Sequence, residues 1–202
     1  MKINNININY LYSVFVLTWI LINFILITKG IYYTGSDTSR YINDGREIFN
    51  GEILTGRSIL YYGYNIFLGF LDFLNFSFKE IAIIQIIINF IASVCLIGIC
   101  EKIWEAGTGK LLSIIFLFYY PLQIWNFYIY TESLFVSLFV ISTYFFFCRR
   151  NYSSKVIGFI LFCVTSSIKP HGFLVILSLI LLFVIKNFKK KIKLFLYISI
   201  LL

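Results

Sequence analysis

The sequence predicts an all-α fold: a polytopic transmembrane helical bundle with a large external first loop that carries juxtamembrane helices. Of the 202 residues, 60% are hydrophobic and 13% are charged, and the mean hydropathy is +0.89, which is typical of integral membrane proteins. The net charge of +8 comes from basic residues in short clusters between apolar runs. Cytoplasmic loops of membrane proteins show this pattern, whereas nucleic-acid binding needs one continuous basic face. We therefore expect the lipid bilayer as a partner and no nucleic acid.

The apolar runs place the spans within one integral membrane domain, residues 1–202. The first run, 10–29, is longer than the core of a signal peptide and lacks a small-residue cleavage site, so we expect it to remain as a membrane anchor. The further predicted spans are 80–100, 110–129, 132–148, 155–169 and 172–187, followed by a last run, 194–202, that we expect to be a truncated span.

The apolar stretch 58–76 decides the orientation of every later span. If it crosses the membrane, only Lys2, Lys79 and Lys169 are cytoplasmic. If it does not cross, the cytoplasmic basic residues are Lys2, Lys102, Lys110, Arg149, Arg150, Lys155, Lys186, Lys189, Lys190, Lys191 and Lys193. The positive-inside rule favours the second arrangement, and the polar and glycine residues of the stretch suit a helix that lies in the interface. We therefore predict one external loop, 30–79, with two juxtamembrane helices.

The first of these helices is predicted from residue 36 to residue 51. Ser36 or Asp37 can cap its start, and Gly51 can end it. With helical spacing, one face holds Asp37, Arg40, Tyr41, Asp44 and Ile48.

Two carboxylates are candidate catalytic residues: Asp37 in the external loop and Glu132 at the start of a later span. The predicted topology places both on the same side of the membrane. An Asp at a helix start is often only a cap, and the same alternative stands for Glu132, with Thr131 as another possible cap. An acidic residue that opens an apolar span is costly unless it caps the helix or faces a cavity, so both residues stay candidates.

Lys169 and His171 flank Pro170 in a turn that the topology places on that same side. One interpretation is a helix break with a snorkelling lysine. The other is a cationic pair suited to a phosphate or diphosphate headgroup. The arginines of the loop could assist phosphate binding, or they could pair along their own helix, Arg40 and Arg46 with Asp44 and Glu47.

Four segments in this order resemble the GT-C superfamily of membrane glycosyltransferases that use lipid-linked sugars. An acidic residue and a tyrosine follow the first span (SDTSRY, Asp37 and Tyr41), and an aromatic, glycine-bearing segment comes next (YYGYNIFLGF). A proline-bearing span then leads into an acidic residue (YYPLQIWNFYIYTESLF, Pro121 and Glu132), and a basic turn closes the series (SSIKPHGFL). YTESLF looks especially like the GPI-mannosyltransferase branch and its bacterial relatives. The superfamily also includes protein O-mannosyltransferases and aminoarabinose lipid A transferases.

The resemblance covers the N-terminal part of the family layout, because family members are typically longer. The first-loop motif also lacks the second adjacent acidic residue of some branches. We therefore expect the chain to be a partial family member.

The resemblance implies an inverting transfer of a mannose-like hexose from a polyprenyl-phosphate carrier to an acceptor protein, lipid or glycan. Asp37 would be the general base on the acceptor hydroxyl, and Glu132 would position the acceptor or share that role. A divalent metal occurs in part of the superfamily, but two lone carboxylates do not argue for one, so no metal ligand is assigned. The substrate-binding residues would be Arg40, Tyr41, Lys169 and His171.

The expected location is a cell membrane, favouring a bacterial plasma membrane, with the active face external and a role in the cell envelope. Two other functions stay open. One is a transport or lipid-flipping module, although transporters place their polar groups at the bilayer midplane. The other is a truncated, non-catalytic membrane subunit.

Overall fold

The structure, a computed structural model, describes residues 7–104, 107–174 and 177. These residues form helices joined by short connections, and their one β interaction is an isolated parallel bridge between Tyr33 and Tyr128. The all-α prediction is therefore confirmed for this part of the chain. The helices are α1 (Ile8–Thr28), α2 (Ser36–Phe49), α3 (Tyr62–Phe73), α4 (Phe78–Ile103), α5 (Thr108–Phe118), α6 (Tyr120–Gln123), α7 (Thr131–Thr143) and α8 (Tyr152–Ile168). A 3-10 helix, Gly56–Tyr61, precedes α3, another, Ile124–Asn126, follows α6, and a π-helix, Tyr144–Cys148, continues α7.

Three helices are long and apolar enough to cross a membrane: α1, α4, and α7 with its π-helical extension. They have 21, 26 and 18 residues, and a hydrocarbon core of about 30 Å needs about 20 helical residues. The helices α5 and α8 are apolar but shorter. The predicted spans 172–187 and 194–202 lie outside the described residues, apart from residues 172–174 and 177.

The long helix α4 packs against α5 and α7, while α8 packs on α7 and α1 packs on α5. The terminal contacts show that α4 and α7 run in the same direction and that α8 runs opposite to α7. The C-terminal turn of α4 contacts the end of the π-helix through Lys102, and the end of α8 contacts the start of α7 through Lys169. Gly158 lets α8 approach α7 closely, since a Cβ there would lie 2.5 Å from the backbone nitrogen of Phe146.

The helices α2 and α3, which follow α1 and precede α4 in the chain, pack against each other and run in the same direction, since Tyr41 meets Tyr64 and Phe49 meets Phe73. We name them the α2–α3 pair. The predicted helix 36–51 is observed as Ser36–Phe49, but its N-cap is Gly35 rather than Ser36 or Asp37. The Thr38 hydroxyl accepts a hydrogen bond from the Gly35 N–H at 3.1 Å, so the cap comes from a side chain inside the helix. Beyond the other end, Gly51 has φ +83°, a conformation that favours glycine.

The stretch 58–76 is not one long helix. Its helical core α3 has 12 residues and is therefore about 18 Å long, shorter than the hydrocarbon core. It crosses α2 where Gly45 faces Gly69, and a Cβ on Gly45 would lie 2.5 Å from the Asn65 carbonyl oxygen. The alternative that Arg46 pairs along its own helix with Asp44 or Glu47 is wrong: Arg46 donates two hydrogen bonds, of 2.6 and 2.8 Å, to the Asp72 carboxylate of α3. This ion pair and the glycine crossing hold the α2–α3 pair together.

The predicted span 110–129 is broken. Its helix α5 ends at Phe118, and Tyr119 has an extended conformation before the short α6. Pro121 accounts for the break, because proline has no N–H for a helix interior but is tolerated in a first turn. The following backbone is pinned by the bridge to the α1–α2 loop, with Tyr33 N–H donating to Phe127 O at 2.7 Å and Ile129 N–H donating to Tyr33 O at 3.1 Å.

Candidate functional site

Asp37 lies in the first turn of α2 and forms an ion pair with Arg40 at 3.2 Å. The Asp37 side chain is 49% exposed, and the Arg40 side chain is 30% exposed. The Arg40 guanidinium also lies over two aromatic rings, 4.9 Å from the Tyr41 centroid and 5.5 Å from the Tyr61 centroid. The predicted pairing of Arg40 with Asp44 is therefore wrong, since Arg40 turns toward the helix start. Asp37 remains accessible from solvent, with a fixed cation beside it.

Tyr41, in α2, is buried against α3. Its ring meets that of Tyr64 edge-to-face, with centroids 5.0 Å apart. Burial, together with the Asp37 carboxylate, raises the pKa of the Tyr41 phenol to about 12. Burial also raises the pKa of the enclosed Tyr64 phenol well above its usual value. Both phenols are neutral at physiological pH and can act only as hydrogen-bonding groups there.

Glu132 lies in the first turn of α7, where Tyr130 rather than Thr131 or Glu132 is the N-cap. The Glu132 carboxylate accepts a hydrogen bond from Thr131 Oγ1 at 3.2 Å and from Lys169 Nζ at 2.7 Å. The Lys169 and Glu132 side chains are 25% and 31% exposed. The two sequence candidates from separate turns thus form one half-buried ion pair.

The two ion pairs belong to one region of the molecule. Glu132 is close enough to Tyr64 for its charge to raise the Tyr64 pKa, and Tyr64 in turn contacts Tyr41. A second link comes from the Tyr130 side chain, whose hydroxyl occupies the space where a Cβ on Gly35 would lie. We name this region the acid–base cluster and define it by the predicted site residues Asp37, Arg40, Tyr41, Glu132 and Lys169.

His171 is the predicted site residue that the cluster does not include. It is exposed, two residues beyond Lys169, in a helical segment that the structure describes over residues 170–174. The predicted cationic pair of Lys169 and His171 is therefore divided, with Lys169 turned inward to Glu132.

Beneath the cluster lies a chain of buried polar side chains that the sequence analysis did not identify. Tyr64 donates to Gln85 at 3.2 Å, and the Gln85 amide donates to the carbonyls of Asn126 and Tyr128 at 3.2 and 2.9 Å. Asn126 and Gln123 continue the network toward Asn89 and Trp19 (all side-chain contacts). Gln85 and Asn89 lie one helical turn apart within an apolar helix, and this spacing of uncharged polar residues was the signal available in the sequence.

A cavity of about 310 Å³ opens between α1 and the broken segment after α5. Its walls are mainly apolar, with Asn23 and Gln123 as its amide-bearing residues. Tyr33, beside the start of α2, also lines it. The cavity thus extends from the middle of α1 toward the acid–base cluster.

Metal ligands are not grouped in this region. Among residues 7–104, 107–174 and 177, no three His, Cys, Asp or Glu side chains are placed to hold an ion. What the arrangement offers chemically is two carboxylates, each beside a cation, above buried neutral phenols.

No protein-family model, curated protein or solved structure matches this chain. The chemistry must therefore be argued from the site itself.

Proposed function

We propose that the chain is a membrane glycosyltransferase of the GT-C kind, which moves a mannose-like hexose from a polyprenyl-phosphate carrier to an acceptor at the outer membrane face. One observation carries the proposal. Acids and bases from the α2, α7 and α8 regions converge in the acid–base cluster, at the end of the bundle where α7 begins and α8 ends. The resemblance of the motifs assigns a role to the same residues.

In the proposed reaction, Asp37 removes the proton from the acceptor hydroxyl as its oxygen bonds to the anomeric carbon. The bond between that carbon and the carrier phosphate breaks, and polyprenyl phosphate leaves with the electron pair. The exposed position of Asp37 suits contact with an acceptor, and the Arg40 guanidinium beside it suits a phosphate oxygen. Lys169 would have to share its charge between Glu132 and the phosphate. Tyr41 remains a neutral donor because of its raised pKa.

The cavity beside α1 supports a lipid-borne donor. Its apolar walls suit a hydrocarbon chain, and it reaches Tyr33 near the start of α2. A chain held there would bring its phosphate end toward Arg40. The outer face fits the same donor, because nucleotide sugars are not supplied on that side of a membrane.

The test is Asp37→Asn, with Glu47→Gln as the matched control, an exposed acid of the same helix. Membranes that contain each variant would be supplied with a labelled polyprenyl-phosphate hexose, and transfer to endogenous acceptors would be measured. General-base catalysis contributes about 100- to 10,000-fold, so we expect Asp37→Asn to lose at least about 100-fold and Glu47→Gln to stay within about twofold. Transfer by Asp37→Asn at the wild-type rate would reject the mechanism.

A non-catalytic membrane subunit is the second candidate, and the ion pairs themselves favour it. Asp37 and Glu132 each have a cation partner within the chain itself, as purely structural acids would. In that case no variant would change transfer, whereas charge loss at Glu132 would lower stability and assembly.

The transport or lipid-flipping alternative draws support from a different feature. Broken helices with polar side chains beside them form the substrate sites of transporters. The segment after the break at Tyr119 hydrogen-bonds to the buried Gln85 and Asn89 through Asn126 and Gln123. Vesicles that contain the purified chain and a fluorescent phospholipid would test it, since a flipping module exposes the inner-leaflet probe to external dithionite.

A further inference from the structure

Three tyrosine rings are stacked beside the acid–base cluster. The Tyr33 and Tyr128 centroids are 4.8 Å apart with an interplanar angle of 25°, and the Tyr128 and Tyr130 centroids are 5.9 Å apart with an angle of 9°. Trp125 leans against the stack, 5.4 Å from Tyr128 and 6.1 Å from Tyr130. We name Tyr33, Tyr128 and Tyr130 the tyrosine stack.

The backbone holds this stack in place from both sides. The bridge between Tyr33 and Tyr128 joins two loops that are distant in sequence, through bonds of 2.7 and 3.1 Å. The Gln85 amide also binds the Tyr128 carbonyl at 2.9 Å. Gly35 receives the Tyr130 ring, since any side chain there would overlap it. Such fixation is more than an interfacial aromatic residue needs, because belt residues act one by one at the headgroup level.

The tyrosine stack also has an exposed ring at one of its ends. Tyr33, its outermost ring, is 47% exposed and lies at the cavity that extends along α1. At the other end, Tyr130 contacts Gly35, two residues before Asp37. A ring seated on the exposed Tyr33 would therefore lie at the apolar cavity, while the other end of the stack contacts the segment that leads to Asp37.

We propose that the tyrosine stack is the binding platform for the hexopyranose ring, an assignment that rests on the proposed function for the choice of a sugar. A pyranose has an apolar C–H face that packs on an aromatic ring and a polar rim of hydroxyls. The tyrosine hydroxyls supply polar partners for such a rim. A lipid headgroup has no flat apolar face to stack in this way.

The experiment measures sugar binding without transfer. The full chain, purified in a detergent without a sugar headgroup, is titrated with methyl α-D-mannopyranoside, methyl α-D-glucopyranoside and glycerol, and tryptophan fluorescence is recorded. We expect a saturable change with at least one hexoside and none with glycerol, because Trp125 contacts the stack. The absence of a saturable change with both hexosides up to about 100 mM, far above the millimolar range of weak binding, would overturn the proposal.

Variants then locate the site. Tyr33→Leu and Tyr128→Leu should weaken hexoside binding at least about tenfold, the loss that corresponds to about 1.4 kcal/mol of aromatic contact. Tyr152→Leu should stay within about twofold, since Tyr152 is 82% exposed and lies at the far end of α8. Because Tyr33 is exposed, its variant remains informative if Tyr128→Leu does not fold.

The same variants separate this proposal from the proposed function. Hexoside binding that depends on the stack, in a chain that transfers no sugar, supports the platform and rejects the transferase. Sugar transfer that is unchanged in Tyr33→Leu and Tyr128→Leu rejects the platform alone. If these variants bind hexosides normally but partition less into phospholipid vesicles, the stack is an interfacial anchor and the proposal fails.

Discussion

The two ends of the helix bundle use charge in different ways. At one end, which we name the basic end, lie Lys102, Lys110, Arg149, Arg150 and Lys155. Lys102 donates to the carbonyls of Phe147 and Cys148 at the C-terminus of the π-helix, and Arg149 lies 5.2 Å from the Tyr144 ring centroid. Lys102 and Arg149 thus bind backbone and aromatic groups, as terminal cations of helices commonly do, and Lys110 donates to the Asn9 side-chain oxygen.

At the opposite end, Arg40, Arg46 and Lys169 are paired with carboxylates. Asp37 with Arg40, Glu132 with Lys169 and Asp72 with Arg46 are the ion pairs of the described residues. Two of them bridge separate helices or turns, so they fix the relative positions of chain segments. The basic end therefore suits a role as an anchor. The opposite end, which we name the cluster end, has an arrangement that specific chemistry would require.

The largest expected effect concerns the side of the membrane on which each end lies. The test uses a chain whose four native cysteines are replaced. Thr55→Cys then reports on the connection between α2 and α3, and Asn151→Cys reports on the basic end. Both positions are exposed. Because the positive-inside rule places the basic end in the cytoplasm, an impermeant maleimide should label residue 55 in intact cells. Residue 151 should be labelled only after permeabilisation. Labelling of both positions from outside would contradict the placement of the two ends on opposite sides of the membrane.

The next effect tests whether Glu132 is more than an ion-pair partner. Glu132→Gln, Lys169→Met and the double variant form a cycle. Each single change leaves a half-buried group without its partner and should lower stability by about 1–2 kcal/mol, with part of this loss recovered in the double variant. Transfer, in contrast, should fall at least about 100-fold in Glu132→Gln and in the double variant alike if the carboxylate takes part in the reaction.

The measurement for this cycle combines thermal unfolding in detergent with the labelled-sugar transfer assay. Recovery of both stability and transfer in the double variant would show that the pair only holds α7 and α8 together. It would then resemble the contacts of the basic end.

A smaller effect on stability tests the packing of α2 against α3. Gly45→Ala places a Cβ 2.5 Å from the Asn65 carbonyl oxygen, and such overpacking typically costs about 1–3 kcal/mol. Asn43→Ala, an exposed change in the same helix, should stay within about 0.5 kcal/mol. Since α2 carries Asp37, transfer should fall with stability in the first variant only. An unchanged melting temperature in Gly45→Ala would show that α2 and α3 are not held at this crossing.

Much of the fold follows from local signals in the sequence. The apolar runs marked α1, α4 and α7, because uninterrupted hydrophobic length is a strong signal. The helix α2 was predicted within two residues at its C-terminal end, since charged residues with helical spacing precede Gly51. The break after Phe118 was missed because Pro121 was read as part of a span, although a proline also permits a new first turn.

The site was less predictable because its contacts join distant segments. Local spacing suggested that Arg46 pairs with Glu47, but its partner is Asp72, which lies in α3. Lys169 and Glu132 were both identified from the sequence, yet their contact depends on how α7 packs against α8. The importance of Tyr64 depends on its burial between Tyr41 and Gln85, which no local pattern reveals.

An effect confined to alkaline pH also belongs to the cluster end. The pKa of Tyr41 is raised from 10.0 to about 12, so the folded state keeps a proton that the unfolded state loses as the pH rises above 10. The contribution of Tyr41 to stability is therefore fully present below pH 10 and is lost as the pH approaches 12. It amounts to about 3 kcal/mol at most.

Thermal unfolding of the detergent-solubilised chain between pH 9 and pH 12 would measure this effect. Both Tyr41→Phe and the exposed control Tyr152→Phe lose a phenol, but only Tyr41→Phe should flatten the decline. Lysine titration affects all three chains alike, so the difference between the curves reports Tyr41 together with its influence on the raised pKa of Tyr64. Parallel curves would mean that Tyr41 is solvated in the protein. The packing of α2 on α3 would then be looser than the buried ring contact with Tyr64 implies.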